Sequence, residues 1–144
     1  MPHISQNLPE DVHYLLVFDG GSKGNPGQGY GSYVLVRCDT GQQKLRRLQF
    51  GEKVTNNEAE YRTLIEGLRA LLGIIREHGK DPRRYRLEVR GDSLLVVNQL
   101  TGAWKARDPR MRALRDEALA LLRQFGAFRV RHHEREASVE LFGH

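Results

Sequence analysis

The stretch from Thr55 to Gly79 constrains the fold more than any other. Thr55 with Glu58 three residues on is a helix-opening box, in which each side chain satisfies a backbone donor of the first turn. Behind it Tyr61, Ile65, Leu68, Leu72 and Ile75 recur at helical spacing until His78-Gly79 and Asp81-Pro82 stop the helix. Three strand-like runs precede this helix. Tyr14–Phe18 is a continuous apolar run closed by Asp19-Gly20-Gly21; Tyr30–Arg37 and Lys44–Phe50 follow, set off by Gly24-Asn25-Pro26-Gly27 and Asp39-Thr40-Gly41. Short turns predict that these three are antiparallel. After the helix, Tyr85, Leu87 and Val89 alternate with Arg84, Arg86, Glu88 and Arg90. A strand delivered by a helical crossover is expected to run parallel to the first, which brings Asp19 and Asp92 to one edge of the sheet.

Ser93–Leu100 reads as a short helix closed by Gly102, and Asp108-Pro109 opens another with Met111, Leu114, Leu121, Leu122 and Phe125 on one face. Phe128–His132 makes a fifth strand, and with two residues left after Phe142 a terminal helix is expected to be nearly absent. The fold class is α/β: a five-stranded mixed sheet, three antiparallel strands and then helix-linked parallel ones, with flanking helices. Residues 1–13 read as a loose, flexible N-terminal arm and 14–144 as one domain, since a chain of 144 residues buries roughly 68–70% of its unfolded surface.

Composition narrows the partners. A net charge of +5 and a pI near 9.7 favour a polyanion. The single cysteine, Cys38, allows no internal disulfide, and no run approaches the ~20 apolar residues that span a bilayer. A cytoplasmic monomer with no membrane association is expected.

Asp19, Glu60 and Asp92 each stand where a strand or a new helix meets a loop. Taken singly, each has a plainer use: Asp19 as a turn residue before glycine, Glu60 as an exposed helix acid, Asp92 as the N-cap of the helix after it. Glu58 reads as the capping-box partner and an i,i+4 mate of Arg62. As a group, the three acids suit hard divalent cations, which take oxygen ligands and are held by a few carboxylates plus substrate phosphate.

The runs Phe18-Asp19-Gly20-Gly21-Ser22-Lys23-Gly24-Asn25-Pro26-Gly27, Thr55-Asn56-Asn57-Glu58-Ala59-Glu60-Tyr61 and Gly91-Asp92-Ser93 closely resemble type 1 ribonuclease H, in the compact form found in archaea and some bacteria. The resemblance runs from about Tyr14 to the C-terminus and implies a ribonuclease-H-like fold. It further implies endonucleolytic hydrolysis of the RNA strand of an RNA–DNA hybrid, with two Mg²⁺ or Mn²⁺ ions and with 5′-phosphate and 3′-hydroxyl products. Metal ligands carry over to Asp19, Glu60 and Asp92. Asn56 and Asn57 match the pair that contacts hybrid bases and sugars, Gly20, Gly21 and Ser22 the backbone that meets 2′-hydroxyls, and Asn25 and Thr55 a DNA-strand phosphate pocket. Lys105, beside Trp104, is assigned to substrate contact.

The chain departs from the family at its end, where the Asn-x-x-Ala-Asp segment is missing. Glu140 is the stand-in for the fourth acid, ahead of Glu134 and Glu136, and His133, seven residues earlier, is assigned the family's basic residue that aids proton or product release. The alternative reading is a hybrid-binding module of the same fold with weak or lost cleavage. Another nuclease of this fold, acting on DNA, is disfavoured by the Asn56-Asn57 pair and the glycine-rich turn.

Overall fold

The computed structural model describes residues 8–143. Its strands are β1 (Tyr14–Lys23), β2 (Gly27–Arg37), β3 (Gln43–Val54), β4 (Arg86–Gly91) and β5 (Ala127–His132); its helices are α1 (Asn56–Glu77), α2 (Leu94–Thr101), α3 (Pro109–Leu122) and α4 (Arg135–Phe142). The strands form one sheet in the order β3-β2-β1-β4-β5. β1, β2 and β3 pair antiparallel, and β4 and β5 join parallel to β1 and to each other, as the crossover argument requires.

The unbroken apolar run of β1 is explained by its central place. Leu16 and Phe18 face a core built with Leu64, Leu68, Leu72, Leu87, Val89 and Leu122, while Leu15 and Val17 face the other side with Val34, Val36 and Phe142. β1 also extends beyond the expected Phe18: it continues through Asp19-Gly20-Gly21 to Lys23, with Asp19 opposite Ser32 and Lys23 opposite Gln28. The glycines look like turn residues from sequence, yet here they let other elements come close. A Cβ on Gly20 would stand 2.6 Å from the carbonyl of Ala59 in α1, so only glycine fits at that crossing.

Three further details differ from the sequence reading. α4 is a full eight-residue helix, docked by buried Ser138 and Phe142, and Arg47 Nη1 donates to the Phe142 carbonyl at 3.1 Å. Residues 8–13, expected as part of a loose arm, lie against the sheet: Val12 is buried, the His13 amide donates to Arg86 O at 2.9 Å, and Asp11 pairs with Arg129. The remainder of that arm, residues 1–7, lies outside the described residues. Glu88, placed by alternation among the polar positions of β4, is only 1% exposed and takes ion pairs from Arg90, Arg129 and Arg131. Register supplies the pairing, because Glu88 stands directly opposite Arg129.

Candidate active site

Three elements deliver one acid each to the same end of the sheet. Asp19 follows Phe18 on β1, and Asp92 follows Gly91 at the end of β4; Phe18 and Gly91 are register partners, so the two acids that come next are neighbours. Glu60 sits one turn inside α1, which crosses β1 at Gly20. Each residue offers a carboxylate oxygen, and these atoms all lie within 4.8 Å of one another. Asp19 and Glu60 are buried, at 1% and 4% exposure.

The plainer uses of these acids are taken by other residues. Ser93 Oγ accepts the Val96 amide at 3.2 Å, so Ser93 caps α2 and the Asp92 carboxylate is surplus to capping. Glu58 closes the capping box with Thr55, but its salt bridge goes to Arg110 at 3.0 Å rather than to Arg62, which lies over the Phe50 ring instead. Glu60 is no exposed helix acid. Its Oε1 accepts the Gly20 amide, and its Oε2 is buried with no hydrogen-bond partner among the described residues.

Electrostatics shows how poorly this group suits a protein with no added cation. Burial and then the charge of Asp92 push Asp19 up to about 6, against a smaller opposing pull from Arg135. Burial first, then the Asp19 and Asp92 charges, hold Glu60 well above the usual carboxylate range. An all-oxygen donor set with an orphaned buried Glu60 oxygen and mutual repulsion fits a hard divalent ion such as Mg²⁺ or Mn²⁺.

The shifts have a sign. Folding raises the Asp19 pKa from the ordinary 3.8 to about 6, so the folded chain binds the proton more tightly than the unfolded one. In EDTA, stability is therefore expected to fall as pH rises from 3.8 through about 6, and Mn²⁺ should oppose that fall because it takes the ionised form. Melting curves across this window, with and without the ion, measure both trends.

Around the acids, the predicted substrate residues separate into those the structure gathers and those it does not. Asn56 Oδ1 accepts from the Ser22 amide at 2.8 Å and the Ser22 hydroxyl at 3.2 Å, and the Asn56 amide donates to Asn25 Oδ1 at 3.1 Å. Ser22, Asn25 and Asn56 thus form a clip between the β1–β2 turn and the start of α1, with Gly20 and Gly21 just before Ser22 on β1 and Thr55 just before Asn56 as the N-cap of α1. Asn57 follows on the first turn of α1, half-buried. Lys105 is exposed in the α2–α3 connection next to Trp104, itself 49% exposed, and has no part in the acid group.

The C-terminal assignments fare differently. Glu140 is exposed and is not in the converging group, which holds three acids among the described residues. α4 turns Ser138 inward, and two residues later the helix has rotated by roughly 200°. Glu134 stands at the N-cap of α4 and Glu136 is exposed. His133 is tied to the fold, its amide donating to Gly91 O at 3.0 Å and its Nε2 lying 2.7 Å from Ser138 Oγ; burial pulls its pKa down.

One residue at the site has no forewarning in the sequence. Arg135, first in α4, places Nη1 3.0 Å from Asp92 Oδ2 and 3.4 Å from Asp19 Oδ1. Its partners are 43 and 116 positions away, and nothing local marks the contact.

Comparison with known proteins agrees with this geometry. Residues 17–140 match a family described as reverse transcriptase-like. The crystal structure of RNase H1 from Halobacterium salinarum superposes with a TM-score of 0.76 at 38% identity, covering 90% of this chain and 92% of that one. The chain belongs to the type 1 ribonuclease H family. An RNase H1 of the family solved in complex with an RNA/DNA hybrid is 27% identical with a TM-score of 0.75, covering 86% of this chain and 87% of that one. The ribonuclease HI of Halobacterium salinarum is 42% identical over 115 residues, 80% of this chain and 53% of that protein. With 47% of a Bacillus subtilis relative also covered, the chain spans about half the length of these curated relatives.

Proposed function

We propose that the protein hydrolyses the RNA strand of RNA–DNA hybrids endonucleolytically, leaving 5′-phosphate and 3′-hydroxyl ends. The observation that carries this reading is the convergence of Asp19, Glu60 and Asp92 beside the Ser22–Asn56–Asn25 clip. A relative of the same fold is known in complex with a hybrid. Divalent ions held by these acids would supply an activated water and charge neutralisation at the scissile phosphate.

The chain's own residues do the positioning. Gly20, through its amide, fixes one oxygen of Glu60, and the other is buried with no hydrogen-bond partner among the described residues. Asn56 and Asn25 hold the β1–β2 turn against α1, so that Gly20, Gly21, Ser22, Asn57 and Thr55 present one rigid edge to a nucleic-acid strand, and Lys105 adds charge from the α2–α3 connection. The ribose 2′-hydroxyl distinguishes the cleaved strand. With Glu140 exposed and off the group, a second ion would have fewer protein carboxylates to hold it and would draw its other ligands from phosphate and water. Catalysis then rests on orientation and fixed charge.

The alternative, a hybrid-binding module with weak cleavage, is favoured by one observation: an arginine reaches the acids while Glu140 does not. Labelled RNA–DNA hybrid, duplex RNA and duplex DNA incubated with the protein in Mg²⁺ and then Mn²⁺ decide between them. The expected result is cleavage of the RNA strand in the hybrid alone. Hybrid retention without product would transfer the reading to the binding module, and cut DNA would overturn both. Hybrid binding should also weaken steeply with salt, because bound phosphates release counterions.

A further inference from the structure

Arg135 stands at the opening of the acid group, with its side chain 58% exposed and its two partners at 1% and 6%. It enters from the solvent side, the side from which a hydrated cation must also come. Its Nη1 lies on Asp92 Oδ2 and reaches Asp19 Oδ1, two of the carboxylates that form the candidate metal group. A guanidinium is always charged and carries donors only, so it satisfies carboxylates as a cation does but offers no lone pair to a metal. The same lone pairs cannot serve both. α4 supports the arrangement at its other end, where Phe142 is buried and Arg47 holds the last carbonyl, whereas Glu134 gives its first turn no side-chain cap. The body of α4 is thus docked independently of the contact that Arg135 makes.

We propose that Arg135 is an internal counter-cation that competes with divalent metal for Asp19 and Asp92, so that metal enters by displacing the guanidinium and its affinity is set by that exchange. The proposal rests on the reading of the three acids as metal ligands, and it adds an affinity-setting role for a residue of α4. A guanidinium neutralises a single charge at modest cost in a half-exposed position, so it yields to a doubly charged ion with several ligands. It also holds the group together when metal is scarce.

The test is calorimetric titration of Mg²⁺ and Mn²⁺ into chelator-stripped protein, for the parent and for Arg135→Ala, Arg135→Lys and Arg131→Ala. Arg131 contacts Glu88 and not the acid group, so it controls for loss of a nearby charge. Arg135→Ala is expected to bind both ions about tenfold tighter, a coupling of ordinary size for two ligands of one site. Arg135→Lys should fall between Arg135→Ala and the parent, and Arg131→Ala should match the parent. The metal-stripped Arg135→Ala protein should melt lower than the parent, with the gap closing when Mn²⁺ is added. Equal or weaker metal binding by Arg135→Ala overturns the proposal; if that variant does not fold, equal affinity in Arg135→Lys does so. The nuclease reading fails separately: a parent protein that binds metal but cuts no hybrid sinks that reading alone, and one that cuts hybrid with an Arg135-independent metal affinity sinks this proposal alone.

Discussion

Asp92→Asn is expected to lower RNA-strand cleavage by about a thousandfold or more, since losing one of the three carboxylates proposed to hold metal forfeits several kcal/mol of charge stabilisation at the reacting phosphate. The change is nearly isosteric. It leaves α2 intact, because Ser93 and not Asp92 caps that helix. It also leaves the Ser22–Asn56 clip untouched, so hybrid affinity should stay within a few fold of the parent, by analogy with other losses confined to transition-state interactions. Single-turnover cleavage of a labelled hybrid, read beside fluorescence anisotropy of the same hybrid, separates the two quantities. A variant that cuts within tenfold of the parent would remove Asp92 from the chemistry.

The second large effect is expected from Gly20→Ala, which changes no charge and removes no polar side chain. Its Cβ would sit 2.6 Å from the Ala59 carbonyl carbon and oxygen and 2.8 Å from the Glu60 amide. These are backbone atoms of a packed helix and have no rotamer to yield, so α1 must lift from β1. Overpacking of this kind costs about 1–3 kcal/mol, and because the lifted segment includes Glu60, the third acid moves away from the other two. A displacement near 1 Å is enough for about a hundredfold loss in rate. Urea denaturation should register the first effect and single-turnover cleavage the second. Gly73→Ala is the matching control: a Cβ there meets nothing within 4 Å, and in the interior of α1 alanine should add up to about 1 kcal/mol of stability.

The topology was legible because each element announces itself locally. The Thr55–Glu58 box, the helical spacing behind it and the alternation of β4 are enough to place a crossover, and the crossover alone puts Asp19 and Asp92 side by side. What escaped depends on partners distant in sequence. Gly20-Gly21 reads as a turn, but pairing with β2 carries the strand past it, and the need for glycine comes from α1, some forty residues on. Glu88 reads as a solvent-facing position until β5 sets Arg129 against it. The order of residues along the chain singles out Glu140, whereas membership of the converging group depends on the phase of α4, fixed by the burial of Ser138 and Phe142. Arg135 is invisible for the same reason.

Asp19 belongs to the strand with a neighbour on each side, in the middle of the sheet. Amides there become available to solvent only when the whole molecule opens, while an arginine side chain that is 58% exposed can swing away from its partners without any backbone opening. The two halves of the candidate ion-binding region therefore differ in persistence: the carboxylate of β1 endures for as long as the protein stays folded, and the arginine of α4 can come and go many times within that lifetime.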